Sequence, residues 1–71
     1  MYDWQESQEP DGSIVARLCA TRVVVRPTGD DAGGAWAWEV RFADGQVQLG
    51  RGGDPDDALE KGKRVAERFL P

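Results

Sequence analysis

The side chains of this chain that could do chemistry are thirteen carboxylates, nine cations and one thiol; histidine is absent. Without His the commonest general base and metal ligand is missing. Cys19 has no imidazole to take its proton, so it reads as a packed small hydrophobe rather than a nucleophile. As the single cysteine it excludes an internal disulfide or a thiolate cage, and it suits a reducing compartment. Asp30 and Asp31 are adjacent in a glycine-rich stretch without the further spaced ligands of a calcium loop, so a solvated turn is expected. Gly50-Arg51-Gly52-Gly53 precedes a helix, as phosphate cradles do, but Asp54, Asp56 and Asp57 crowd the same helix end and would repel a phosphate. The Lys-Ser/Thr of a P-loop is also missing. Paired carboxylates can cut a glycosidic bond, yet every acid here falls in a turn, a cap or an exposed face. The expectation is a chain without catalytic residues, cofactor or metal, and so not an enzyme.

The charges that remain are suited to recognition. Residues 1–12 carry Asp3, Glu6, Glu9 and Asp11 and no Lys or Arg; the rest of the chain balances nine acids against nine bases, so the net charge of −4 belongs to the N-terminal segment. That acidity argues against a direct hold on nucleic acid, which comes mainly from Lys and Arg neutralising phosphates. Tyr2 and Trp4 are two residues apart and would share a face of an extended strand. Segment 1–12 is therefore an acidic edge strand turned back at Pro10-Asp11-Gly12, or an arm that orders on a partner. Trp4 stands as a candidate anchor in the second case. The candidate partner-binding residues are Tyr2, Asp3, Trp4 and Glu6 of this segment, Asp30 and Asp31 of the loop, and Arg17, Arg22 and Arg41 of the strands.

These residues must be positioned by a small set of elements. Seventy-one residues make a single domain, 1–71, near the lower limit for a chain stabilised by its own core. Residues 13–26 are β-prone, but the apolar set changes phase from Ile14, Ala16, Leu18 and Ala20 to Val23 and Val25, which predicts a bulge near 20–22. Residues 27–35 form a loop. Trp36, Trp38, Val40 and Phe42 alternate with Ala37, Glu39 and Arg41, and Asp44-Gly45 is the favoured two-residue hairpin loop. That loop would pair Phe42 with Val47 and Val40 with Leu49, placing all six large apolar residues on one face. Asp54 and Pro55 open a helix over 54–70 whose apolar stripe is Ala58, Leu59, Gly62, Val65, Ala66, Phe69 and Leu70. Gly62 in that stripe implies close approach of the helix backbone to the sheet, with a Trp ring beneath it. The fold expected is α+β: an antiparallel sheet of three to four strands over 13–50, with one C-terminal helix packed on one face. The other face is open and carries Arg17, Arg22, Arg26 and Arg41, with Glu39, Gln46 and Gln48 nearby. RNA-binding sheets place aromatics on such a face, and this one has none, so protein recognition fits better.

Gly53-Asp54-Pro55-Asp56-Asp57-Ala58-Leu59-Glu60 after a hairpin resembles the HicB-type antitoxin domain, about half the chain being covered. That resemblance implies a three-stranded sheet, an acidic Ala-rich helix and a small RNase toxin as partner. The chain departs from the family at Ala43-Asp44-Gly45-Gln46, where a Pro-Asp-x-Pro-Gly-Cys connection belongs. In size, acidity and lack of a reactive centre it also resembles the small inhibitor proteins of phages and mobile elements, including anti-CRISPR proteins; this likeness is one of style and assigns no residue. The leading expectation is a non-enzymatic, protein-binding inhibitor of that kind, blocking a bacterial host protein or ribonucleoprotein complex by surface occlusion. A HicB-like antitoxin or regulatory module is the alternative, and a sheet-face nucleic-acid binder the third. No apolar run approaches the ~20 residues of a membrane span, so a cytoplasmic protein is expected, and an exposed sheet edge makes a homodimer possible.

Overall fold

The computed structural model describes residues 2–28 and 35–69. Its elements are β1 (Gln5–Gln8), β2 (Ile14–Leu18), β3 (Thr21–Pro27), β4 (Trp36–Arg41), β5 (Val47–Gly52) and α1 (Pro55–Arg68). The strands form one antiparallel five-stranded meander in chain order, and α1 lies across one face, mainly over β3 and β4. The sequence reading expected three to four strands, and the difference arises at two places.

The first is the phase change between Leu18 and Val23. It is a hairpin rather than a bulge: Leu18 pairs with Thr21 around Cys19-Ala20. Cys19 takes φ +54, the only described non-glycine residue with positive φ. A two-residue hairpin loop needs such a residue at its first position, but Gly, Asn or Asp usually supplies it, so the turn is silent in composition. Cys19 is consequently exposed, not packed. The second place is the acidic segment, where the edge-strand alternative holds and adds a strand: Gln8 pairs with Ile14 and Gln5 with Arg17. The turn behind it is held by Asp11, whose Oδ1 accepts from the Ser13 amide at 3.0 Å and the Ser13 hydroxyl at 2.6 Å.

The β4–β5 hairpin carries a third correction. Arg41 pairs with Val47, Val40 with Gln48 and Glu39 with Leu49, a shift of one residue from the expected register. The Phe42 amide donates to the Gln46 carbonyl at 2.9 Å and the Gly45 amide to the Phe42 carbonyl at 3.0 Å. Gly45 has φ +93 and Asp44 does not share it, so the loop is three residues long, a turn closed by a left-handed glycine, instead of the two-residue loop that needs positive φ at both positions. One residue of slip moves a strand's whole side-chain set to the other face. Val47 and Leu49 therefore leave the helix side, and Gln48, expected on the open side, joins it.

The core lies between sheet and helix: Ala16, Val23, Val25, Trp38, Val40, Ala58, Leu59 and Ala66 are buried, with Trp4, Ile14, Trp36, Phe42 and Val65 packed around them. Glycine lets the layers meet. A Cβ on Gly50 would lie 2.2 Å from Trp38 Cζ2, so the indole rests on that bare backbone. A Cβ on Gly62 would lie 2.6 Å from Val23 Cγ1 and 3.5 Å from Trp38 Cβ; Val23, more than the Trp ring, demands the glycine. Asp54 caps α1 by accepting from the Asp57 amide at 2.7 Å, with Pro55 in the first turn. Along α1 the i,i+4 ion pairs Asp57–Lys61 and Glu60–Arg64 form at 3.1 and 2.6 Å. Lys63 instead pairs with Glu6 of β1, and Glu67 accepts from Trp4 Nε1 at 2.9 Å. Phe69 stays exposed, edge-on to Phe42 with centroids 5.3 Å apart; Leu70 lies outside the described residues.

Candidate functional site: the open face of the sheet

Directly paired residues in an antiparallel sheet share a face, so the pairing defines what the side opposite the helix carries. One row across the strands is Gln5, Arg17, Arg22, Arg41 and Val47; the next is Ser7, Val15, Val24, Glu39 and Leu49; a third joins Arg26, Ala37 and Arg51. Five of the nine cations thus project from one face, with Glu39 as the only acid among the paired strand residues of these rows. Three of them, Arg17, Arg22 and Arg41, stand directly side by side on neighbouring strands, about 4.8 Å apart at the backbone. Like charges in that position oppose folding. Glu39 offsets part of this through its 2.6 Å ion pair with Arg41, two residues along the same strand, and no ion pair joins Arg17 or Arg22 to a described carboxylate.

The face is also partly apolar. Leu49 is 71% and Val47 49% exposed, while Val15 and Val24 are buried with no layer above them. Burial there needs the long neighbouring side chains to fold over the valines, as arginine stems do on apolar surface. A shallow depression of about 340 Å³ opens between Val24, Arg26, Ala37, Glu39, Leu49 and Arg51. Ala37 is the reason: it is the one small side chain in the row, and Arg26 and Arg51 flank it. Two guanidinium groups over such a floor can bind carboxylate or phosphate oxygens bidentately.

The sequence-derived candidates divide clearly. Arg17, Arg22 and Arg41 share the open face, as expected, and the hairpin at Cys19-Ala20, in place of a bulge, sets them in one row. Tyr2, Asp3, Trp4 and Glu6 do not form an arm: Trp4 is half-buried against the core and bonded to Glu67, and Glu6 is tied to Lys63. Trp4 thereby contributes to the packing, while Tyr2 and Asp3 stay exposed. Asp30 and Asp31 lie outside the described residues. Among the residues that sequence reasoning missed on this face are Val15, Val24, Val47, Leu49 and Arg51. Val24 was legible as the odd member of Val23-Val24-Val25; Val47, Leu49 and Arg51 depended on the hairpin register.

Elsewhere, the Asp11 carboxyl is held below its ordinary 3.8 by the bonds from Ser13, side chain first. That of Asp57 is held below 3.8 by the Gly53 amide and then Lys61. Both carboxylates act locally, on a turn and a helix start. Among the described residues no group of three or more acidic, Cys or His side chains is placed to hold a metal ion, and no helix is long and apolar enough to cross a membrane. No protein-family model, curated protein or solved structure matches the chain.

Proposed function

We propose that this chain is a non-enzymatic binding module that docks the open face of its sheet on an acidic surface of another protein. The observation that carries this is the row Arg17–Arg22–Arg41, set side by side at a cost to folding and bordered by exposed Val47 and Leu49. Arg is enriched in protein interfaces, and the buried centre of such a patch is more apolar than the rest of the surface. The absence of aromatics from the face, which holds Trp36, Trp38 and Phe42 on its other side, disfavours base stacking. The acids left on the edges and helix would repel a phosphate backbone that overreached the face.

In its narrower form the module is an inhibitor from a phage or mobile element, of the anti-CRISPR kind, acting in the cytoplasm by covering a surface of a bacterial host complex. Its small size and acidity support that form. The alternative, a HicB-like antitoxin masking a small RNase, is supported by the Asp54-Pro55 cap that joins the last strand to an acidic helix start.

Capture from nuclease-treated bacterial lysate with the tagged wild type and an Arg22→Glu variant tests the reading. The result expected is a stoichiometric protein held by the wild type and lost by the variant, a host-complex subunit or an RNase deciding between the two forms. Retention by Arg22→Glu, or capture that nuclease abolishes, would overturn it.

A further inference from the structure

The two edges of the sheet are unlike. β1 is short and entirely polar, and its Glu6 is tied to the helix through Lys63, which are the usual devices for blunting an edge. β5 reads Val47-Gln48-Leu49-Gly50-Arg51-Gly52, with no Lys, Pro or bulge. Backbone bonding in an antiparallel ladder alternates along the strand. Because the Phe42 amide bonds to the Gln46 carbonyl, and 40, 38 and 36 follow as partners of 48, 50 and 52, the even residues of β5 bond to β4. The main-chain groups of Val47 and Leu49 therefore turn outward, and their side chains lie on the arginine-bearing face. An incoming strand would meet both at once.

We infer that β5 receives an extended, acidic segment of the partner protein as a sixth antiparallel strand, so that main-chain bonds to Val47 and Leu49 join the arginine face in recognition. This rests on the reading of that face as the docking surface. Charge complementarity selects the occupant. On the open side the added strand would place alternate side chains beside Arg51, Leu49 and Val47, the last adjoining Arg41. Acid, apolar, acid is the pattern those neighbours favour. A second copy is disfavoured by the same reasoning, since a two-fold pairing of β5 with itself would merge two arginine faces on one side.

The test uses the whole labelled chain and the peptide acetyl-Thr-Glu-Thr-Val-Thr-Glu-Thr-amide, followed by NMR titration and amide exchange. The expected result is saturable binding that slows exchange at the Val47 and Leu49 amides, fails when Lys replaces Glu in the peptide, and is lost in Leu49→Pro. Proline is tolerated on an edge strand where the N–H faces solvent, so this variant removes the outward donor and leaves the β4–β5 ladder. Val47→Pro serves the same purpose should Leu49→Pro fail to fold. Binding that shifts the arginine row but leaves both amides unprotected, with affinity unchanged by either proline, would overturn strand addition and spare the face. Protection of both amides without peptide, growing with protein concentration, would give the edge to a second copy. No saturable binding at all, by wild type and variants alike, would overturn strand addition and the acidic-partner reading together.

Discussion

Gly52 and Gly53 are neighbours in sequence with opposite surroundings, and replacing each by Ala tests how α1 sits on the sheet. A Cβ on Gly52 would lie 2.6 Å from both the Cα and the N of Ala58 and 2.9 Å from its Cβ; a Cβ on Gly53 would meet nothing within 4 Å. The obstruction at Gly52 is helix backbone, so it cannot rotate away, and the first turn of α1 with its Asp54 cap must shift. Overpacking of this kind costs about 1–3 kcal/mol, against a gain of about 0.5–1 kcal/mol for Ala over Gly in a strand. Taken at their midpoints, about 2 and about 0.75 kcal/mol, the two leave a net loss of about 1.25 kcal/mol, and a domain of this size loses about 4–8 °C of Tm per kcal/mol. Gly52→Ala should therefore melt about 5–10 °C below the wild type. Gly53→Ala keeps the amide that donates to Asp57 Oδ2 at 3.0 Å and should gain up to about 1 kcal/mol by restricting the unfolded chain. Thermal melts followed by far-UV circular dichroism decide it. Gly52→Ala melting at or above the wild type would refute the close approach of β5 to Ala58.

Further outcomes follow from other contacts. Cys19→Gly removes a left-handed penalty of about 1–2 kcal/mol at an entropic cost of about 0.5–1 kcal/mol, so a small rise in the urea midpoint is expected; a fall would contradict the strained turn. Trp4→Phe keeps a ring against the core but deletes the bond to Glu67, and should cost about 1 kcal/mol. Deleting residues 1–9 should destabilise more, because it strips β1 from β2; a truncated chain as stable as the whole would contradict the edge strand. Asp11 and Asp57 titrate below their unfolded value, so their stabilisation is present above about pH 4 and is lost as pH falls through the lowered folded values. Asp11→Asn and Asp57→Asn should each flatten the acid limb of the urea midpoint against pH, and an unchanged limb in both would refute the assignment.

The parts of the fold legible in the sequence were those where two signals coincided. The alternation from Trp36 to Phe42 and the Asp54-Pro55 start of α1 each had pattern and punctuation, and the structure places both as read. The faces of Arg17, Arg22 and Arg41 followed from alternation alone and also stand. What failed depended on turn geometry. Asp44-Gly45 suits a two-residue loop and equally a three-residue loop closed by glycine, and only packing against α1, with Trp38 resting on Gly50, chooses between them. Cys19-Ala20 carries no turn residue at all and is set by what pairs around it, whereas the edge strand Gln5–Gln8, signalled only by the turn at Pro10-Asp11-Gly12, was one of the two readings and stands. The single-residue slip then hid Val47 and Leu49, and with them the apolar part of the candidate site.

The central claim is that recognition resides on the open face rather than in overall charge. The most direct measurement compares the captured partner's affinity for two variants with the same change of charge: Arg22→Glu in the middle of the arginine row, and Lys61→Glu on the exposed outer face of α1. At least a tenfold loss, about 1.4 kcal/mol, is expected for Arg22→Glu with near-wild-type binding by Lys61→Glu, both variants folded by circular dichroism. Equal losses, or a loss confined to Lys61→Glu, would contradict the claim.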